Sequence, residues 1–143
     1  MKTRFLVTIT LLAFSYNVSA ASESSRQLTI DDYFEIASLG DPQMSPDGDW
    51  VAYTVSTMDL KEDESETRVW MVSTSGGEPV PMTAPGSSAS RPRWSPDGKF
   101  LSFLASRDDD ETQVWTLFRK GGDSVQLTET DQGVQSYEWS PDG

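Results

Sequence analysis

Carboxylates dominate the side chains of this sequence that could do chemistry. Residues 108–111 read Asp-Asp-Asp-Glu, and Asp47, Asp97 and Asp142 recur in near-identical surroundings. Clustered carboxylates are the hard oxygen ligands that calcium takes, and single ones can move protons. A calcium loop needs ligands at alternating positions and a glycine at its sharp bend, and residues 108–111 supply neither. That segment reads as a solvated hairpin tip. The three recurring aspartates each follow Ser-Pro and precede Gly. A residue that returns in the same turn is expected to build the turn. Trp70 and Trp115 share one repeat position, and Trp94 and Trp139 another. They could form a binding platform only if exposed, and they read as packing residues. The chain has no His and no Cys, so it holds no Ser-His-Asp machinery, thiolate nucleophile or cysteine metal site. No residue is assigned a catalytic, cofactor-binding or metal-binding role, and no cofactor is expected.

The element that must position these side chains is a turn. Met44-Ser45-Pro46-Asp47-Gly48, Trp94-Ser95-Pro96-Asp97-Gly98 and Trp139-Ser140-Pro141-Asp142-Gly143 are three copies of one motif. Pro at the second turn position pre-sets φ, Ser at the first can accept a backbone hydrogen bond, and Asp suits the third. Gly at the fourth tolerates the left-handed conformation that returns the second strand of a hairpin.

Aligning Trp70 with Trp115, Gly76-Gly77 with Gly121-Gly122, Val80 with Val125, Thr83 with Thr128 and Ser95 with Ser140 gives one offset, 45 residues. From Ser45 to Ser95 it is 50, with the extra residues expected in the acidic stretch 61–66, the counterpart of 108–111. Each unit holds four strand candidates. In the second they are the residues up to Trp94, then 100–104, 114–118 and 125–127; the first repeats them with 50–55, 69–72 and 80–82. These runs are aromatic and β-branched and bounded by turn residues. The second strand of each unit is apolar on nearly every position, which predicts burial on both faces. Four strands in a period of 40–50 residues describe a β-propeller blade. A sandwich would not require the same turns at a fixed offset. The expected fold class is therefore all-β, a partial propeller of four-stranded Ser-Pro-Asp-Gly blades spanning 41–143.

Two segments precede the blades. Residues 1–20 carry Lys2 and Arg4, an apolar run over 5–14 and small residues at Val18-Ser19-Ala20, the pattern of a signal peptide. The run is too short to span a bilayer. Export to a periplasm or the exterior is expected. Residues 21–40 read as a polar leader and one short helix. Thr29 and Asp32 resemble a capping box, Ile30, Tyr33, Phe34 and Ala37 recur at helical spacing, and Gly40 with Pro42 closes the segment. The formal charge is −12, which lacks the basic footprint that nucleic acid requires.

Leu28-Thr-Ile-Asp-Asp-Tyr-Phe, followed by Gly40-Asp-Pro-Gln-Met-Ser-Pro-Asp-Gly-Asp-Trp-Val-Ala-Tyr-Thr-Val55, resembles the opening of prolyl oligopeptidase family serine peptidases. The similarity is to the acylaminoacyl-peptidase and dipeptidyl-peptidase-like branch and covers residues 28–143. It implies a short helix, a propeller of such blades and a following α/β-hydrolase domain. The family's catalytic residues fall on no position here, since there is neither a Gly-x-Ser-x-Gly elbow nor a His. The resemblance further implies that the propeller limits which peptides reach the hydrolase domain, and that Tyr33, Phe34 and Ile36 pack near that domain. A propeller closes with about four to eight blades, so the sequence is expected to be an N-terminal portion of a longer protein. The alternative is a non-enzymatic periplasmic propeller that binds other proteins. Only 24 residues separate the expected cleavage site from Ser45, too few for the α/β domain that Tol-type propellers place first.

Overall fold

Alternating aromatic and β-branched residues between tight turns form two antiparallel meanders, each of four strands. The computed structural model describes residues 37–59, 63–107 and 111–143. The expected signal peptide and nearly all of the expected helix lie outside the described residues, as do positions 108–110 of the acidic tip. Among the described residues there is no helix.

The first sheet contains β1 (Ser38–Met44), β2 (Trp50–Asp59), β3 (Glu64–Ser73) and β4 (Val80–Pro81), hydrogen-bonded in that order. The second contains β5 (Ala89–Trp94), β6 (Phe100–Ala105), β7 (Gln113–Phe118) and β8 (Val125–Gln126), again in chain order. The expected all-β fold and blade topology are thus present.

The sheets converge along β5, which packs on β1, β2 and β3 of the first blade. The core lies between them and comprises Ala52, Val69, Met71, Ala89, Trp94, Leu101, Phe103, Ala105 and Leu117. The fourth strands are short, and side chains extend their pairing. Thr83 Oγ1 accepts from Val69 N at 3.0 Å and Thr128 Oγ1 from Val114 N at 2.9 Å, the same bond one repeat later.

Three local expectations are corrected. Gly40, expected to close a helix, lies inside β1 opposite Thr54, so the first blade begins at Ser38 rather than 41. A Cβ on Gly40 would sit 3.0 Å from Thr54 Oγ1; this glycine admits close strand packing instead of ending a helix. The extra residues of the first unit lengthen strands rather than a loop. Pairing of β2 with β3 continues to Asp59 opposite Glu64, while that of β6 with β7 ends at Ala105 opposite Gln113. Glu64 and Glu66 are therefore strand residues. Finally, β6 is buried on both faces, but β2 alternates: Ala52 and Thr54 are buried while Val51, Tyr53 and Val55 are only half-buried. Both runs are equally apolar, but the second blade alone has described chain on each side of its sheet.

Candidate functional site

A serine hydroxyl beside a carboxylate could suggest nucleophilic chemistry, and among the described residues the repeated turn brings such a pair together in each of its three copies. Ser45 Oγ donates to Asp47 Oδ1 at 2.5 Å and Ser95 Oγ to Asp97 Oδ1 at 2.7 Å, with Ser140 and Asp142 paired likewise. The same hydroxyls accept backbone N–H bonds, from Trp50 to Ser45 and from Phe100 to Ser95, both at 3.0 Å. Gly48, Gly98 and Gly143 have φ of 77°, 66° and 98°, the left-handed conformation the turn requires. Ser45 and Ser95 are buried. The Ser45 and Ser95 hydroxyls are engaged as both donor and acceptor, and Ser140 repeats the donor bond to its aspartate, so the constellation is a turn clasp and not a nucleophile.

An ionic contact across the blades ties down the first clasp. Arg119 Nη1, in the turn after β7, reaches back to Asp47 Oδ2 of the first blade. The Ser45 hydrogen bond, then Arg119, then the Asp49 N–H hold the Asp47 carboxyl at about 2, against an ordinary 3.8. Asp97 is likewise held well below the usual range, by Lys99 first and then Ser95, and Asp142 is lowered by Ser140. Depressed carboxylates are poor bases, which fits a structural role. The sign of the linkage follows directly. The Asp47 contribution is complete above pH 4 and is lost as pH falls through about 2. In melting curves of the intact protein from pH 6 to 2, Asp47→Asn is expected to melt below the wild type above pH 4. The gap should close towards pH 2; a constant gap would refute the ion-pair account.

The richest polar arrangement lies where the blades converge. β1 and β5 carry the same bulge at the same repeat position, at Asp41-Pro42 and Arg91-Pro92, where the register with the second strand shifts. Asp41 has φ 44° and Arg91 φ 51°, conformations unusual for any residue but glycine. From β5, Arg93 Nη1 donates to Asp41 at 3.1 Å and Arg93 Nε to Glu138 at 3.1 Å, tying together residues of three successive repeats. Burial opposes the Arg93 charge, but Glu138 and Asp41 outweigh it and raise its pKa. Tyr137 Oη donates to the Arg91 carbonyl at 2.8 Å; burial pushes its phenol up to about 12.

The tryptophans divide by repeat position. Trp94 Nε1 donates to Gln43 O at 3.0 Å and Trp139 Nε1 to Ser102 Oγ at 2.8 Å, so each docks on the preceding sheet. Trp70 and Trp115 instead lie under arginines, with Arg68 at 5.2 Å and Arg107 at 3.9 Å from the ring centroids. Neither ring is a bare platform. Beside Trp115 an open groove of about 630 Å³ is lined by Arg107, Glu111, Gln113 and residues 126–131. Among the described residues there is no group of three or more acidic side chains that could hold a metal ion.

Sequence reasoning missed the roles of Arg91, Arg93 and Arg119. One signal was present for the first of them: Asp41 and Arg91 both precede a proline at one repeat position. The partners of Arg93 and Arg119 lie 45 to 72 residues away, so nothing local announces them.

No protein-family model matches the chain. An uncharacterized peptidase, YuxL, from Bacillus subtilis (strain 168) is 39% identical over 80 residues, covering 56% of this chain and 12% of that protein. Dipeptidyl-peptidase 5 of Porphyromonas endodontalis is 28% identical over 88 residues, covering 62% of this chain and 13% of its own length. The chain thus spans about an eighth of these curated relatives. Pyrococcus horikoshii acylaminoacyl peptidase superposes with a TM-score of 0.65 at 25% identity, over 77% of this chain and 16% of that one. The β-propeller domain of the trilobed protease from Pyrococcus furiosus gives 0.59 at 24%, over 76% and 32%, a likeness of fold. The repeating turn clasps, the two meander blades and these relatives agree: over its blades the chain is similar to peptidases of the prolyl oligopeptidase family, and its two sheets are blades of a propeller.

Proposed function

We propose that this chain is the N-terminal propeller portion of an exported serine peptidase, and that its blades limit which peptides reach a separate hydrolase domain. The observation that carries the reading is a pairing of two facts. The blades match peptidases in sequence and fold, yet the serine–carboxylate pairs of the three repeated turns are structural clasps. Chemistry must then come from elsewhere in the protein, and the blades serve as scaffold and barrier. Export rests on the charged, apolar and small-residue pattern of residues 1–20.

Labelling with a fluorophosphonate serine-hydrolase probe tests the proposal. The intact protein is expected to label, and labelling should be lost when it is denatured first. A chain ending at Gly143 should not label. An intact protein that folds but takes no label would instead support a binding propeller without peptidase activity.

A further inference from the structure

The turn that organises both blades carries a chemical liability. Aspartate followed by glycine is the pair most prone to isomerise, because glycine has no side chain to hinder its own nitrogen. In that reaction the Gly48 nitrogen attacks Asp47 Cγ. A C–N bond forms, the carboxyl C–O bond breaks, and the oxygen leaves as water with the amide proton. A second water then opens the five-membered imide at either carbonyl, returning aspartate or leaving isoaspartate. Isoaspartate routes the main chain through the former side chain and lengthens the turn by one atom, which a four-residue hairpin turn does not accommodate.

The turn cannot do without the pair. Gly48 and Gly98 hold φ of 77° and 66°, so the fourth position calls for glycine. At the third, Asp47 and Asp97 supply the carboxylates of the clasp. Packing does not shield the first of these bonds either. Both aspartates are exposed, and nothing lies within 4 Å of where a Cβ on Gly48 would stand.

What opposes the reaction is the hydrogen bonding of its own atoms. To attack, the glycine nitrogen must give up its proton and turn towards Cγ. Gly48 N donates to Ser45 O at 2.9 Å and Gly98 N to Ser95 O at 2.8 Å. To leave, a carboxyl oxygen must be protonated. Asp47 Oδ1 accepts from Ser45 Oγ and from Asp49 N at 3.2 Å, and Oδ2 pairs with Arg119. Asp97 Oδ1 accepts from Ser95 Oγ and Lys99 N, and Oδ2 pairs with Lys99 Nζ. Each set favours the charged carboxylate, the form that gives up oxygen least readily. Ring closure needs nitrogen and carboxyl carbon aligned in a near-attack geometry, and both ends of that pair are held. The bonds lie within one turn or between the two neighbouring blades described above. We propose that the clasp is a chemical lock: Asp47 and Asp97 are latent isoaspartate sites, and the bonds of the turn keep each from closing on its own glycine. The lock works whatever chemistry the rest of the protein performs.

The test incubates the intact, folded protein at neutral pH beside peptides of residues 43–50 and 93–100. Enzymatic carboxyl methylation followed by peptide mapping locates the isoaspartate. One charge-assisted bond of the clasp is worth roughly tenfold in the population of the opened turn. Both sites of the wild type are therefore expected to isomerise at least about tenfold more slowly than in the peptides. Ser45→Ala should raise the rate at Asp47 by about tenfold and leave Asp97 unchanged, and Ser95→Ala should do the reverse. Ser45→Thr, which keeps the hydroxyl, should retain most of the protection. If the alanine variants do not fold, Arg119→Gln decides: a smaller rise is expected, at Asp47 alone. Equal rates in protein and peptides overturn the proposal. A rise at neither site overturns it too, as does an equal rise at both in a variant that still folds, since the whole fold rather than the clasp would then give the protection.

Discussion

Trp94→Ala will lower the stability of the intact protein by about 3–5 kcal/mol, the range for truncating a buried large aromatic. Trp94 ends β5 with only 8% of its surface exposed, and its ring belongs to the core shared by the two sheets. The indole N–H also donates to the Gln43 carbonyl in the other blade, 51 residues away in sequence. Alanine removes the apolar contact and leaves that carbonyl without its donor. Trp94→Phe isolates the second effect, since it keeps most of the ring; a loss of about 1–2 kcal/mol is expected from the hydrogen bond alone. Denaturant melts of the two variants measure both quantities. A Trp94→Ala loss below about 1 kcal/mol would mean that the indole does not hold the blades together.

Phe103→Ala is expected to cost a similar amount, about 3–5 kcal/mol. Phe103 lies in the middle of β6, paired opposite Trp115, with 1% of its surface exposed. Its ring borders two open grooves, one lined by Ala89 and Ala105 and the other by Met82 and Leu117. Truncation would join the two and admit water between the blades, so collapse around the void is hindered. Because Trp94 and Phe103 belong to one core cluster, their costs should not add; a double variant losing markedly less than the sum is expected. Full additivity would show that the cluster does not act as a unit.

Much of this architecture was legible in the residues. The clasp of Ser45 and Asp47 spans two residues and its backbone bond five, so type and spacing alone specify it. Strand positions followed from the runs between such clasps. The Gly40 expectation failed because glycine followed by Pro42 marks a helix end or a bulged strand equally well. The partner decides which, here Thr54 in β2. The length difference between units was located correctly but given to a loop. Residues 64–66 are polar enough for a tip, yet they pair with β2. β2 and β6 are equally apolar yet differ in burial among the described residues, since an apolar pattern states what a strand could bury and not how many sheets adjoin it.

By itself the sequence determined the turns, the repeat length, the four strands of each unit and the lack of any His or Cys. All of these depend on short-range geometry or on which residue types are present. Only the tertiary structure decided that Arg119 reaches Asp47 across 72 residues and that Arg93 joins Asp41 to Glu138. It alone set Arg91 at a positive φ, with its carbonyl held by Tyr137. Those outcomes depend on the angle and distance at which one blade meets the next, and side-chain packing between sheets sets that geometry rather than any local rule.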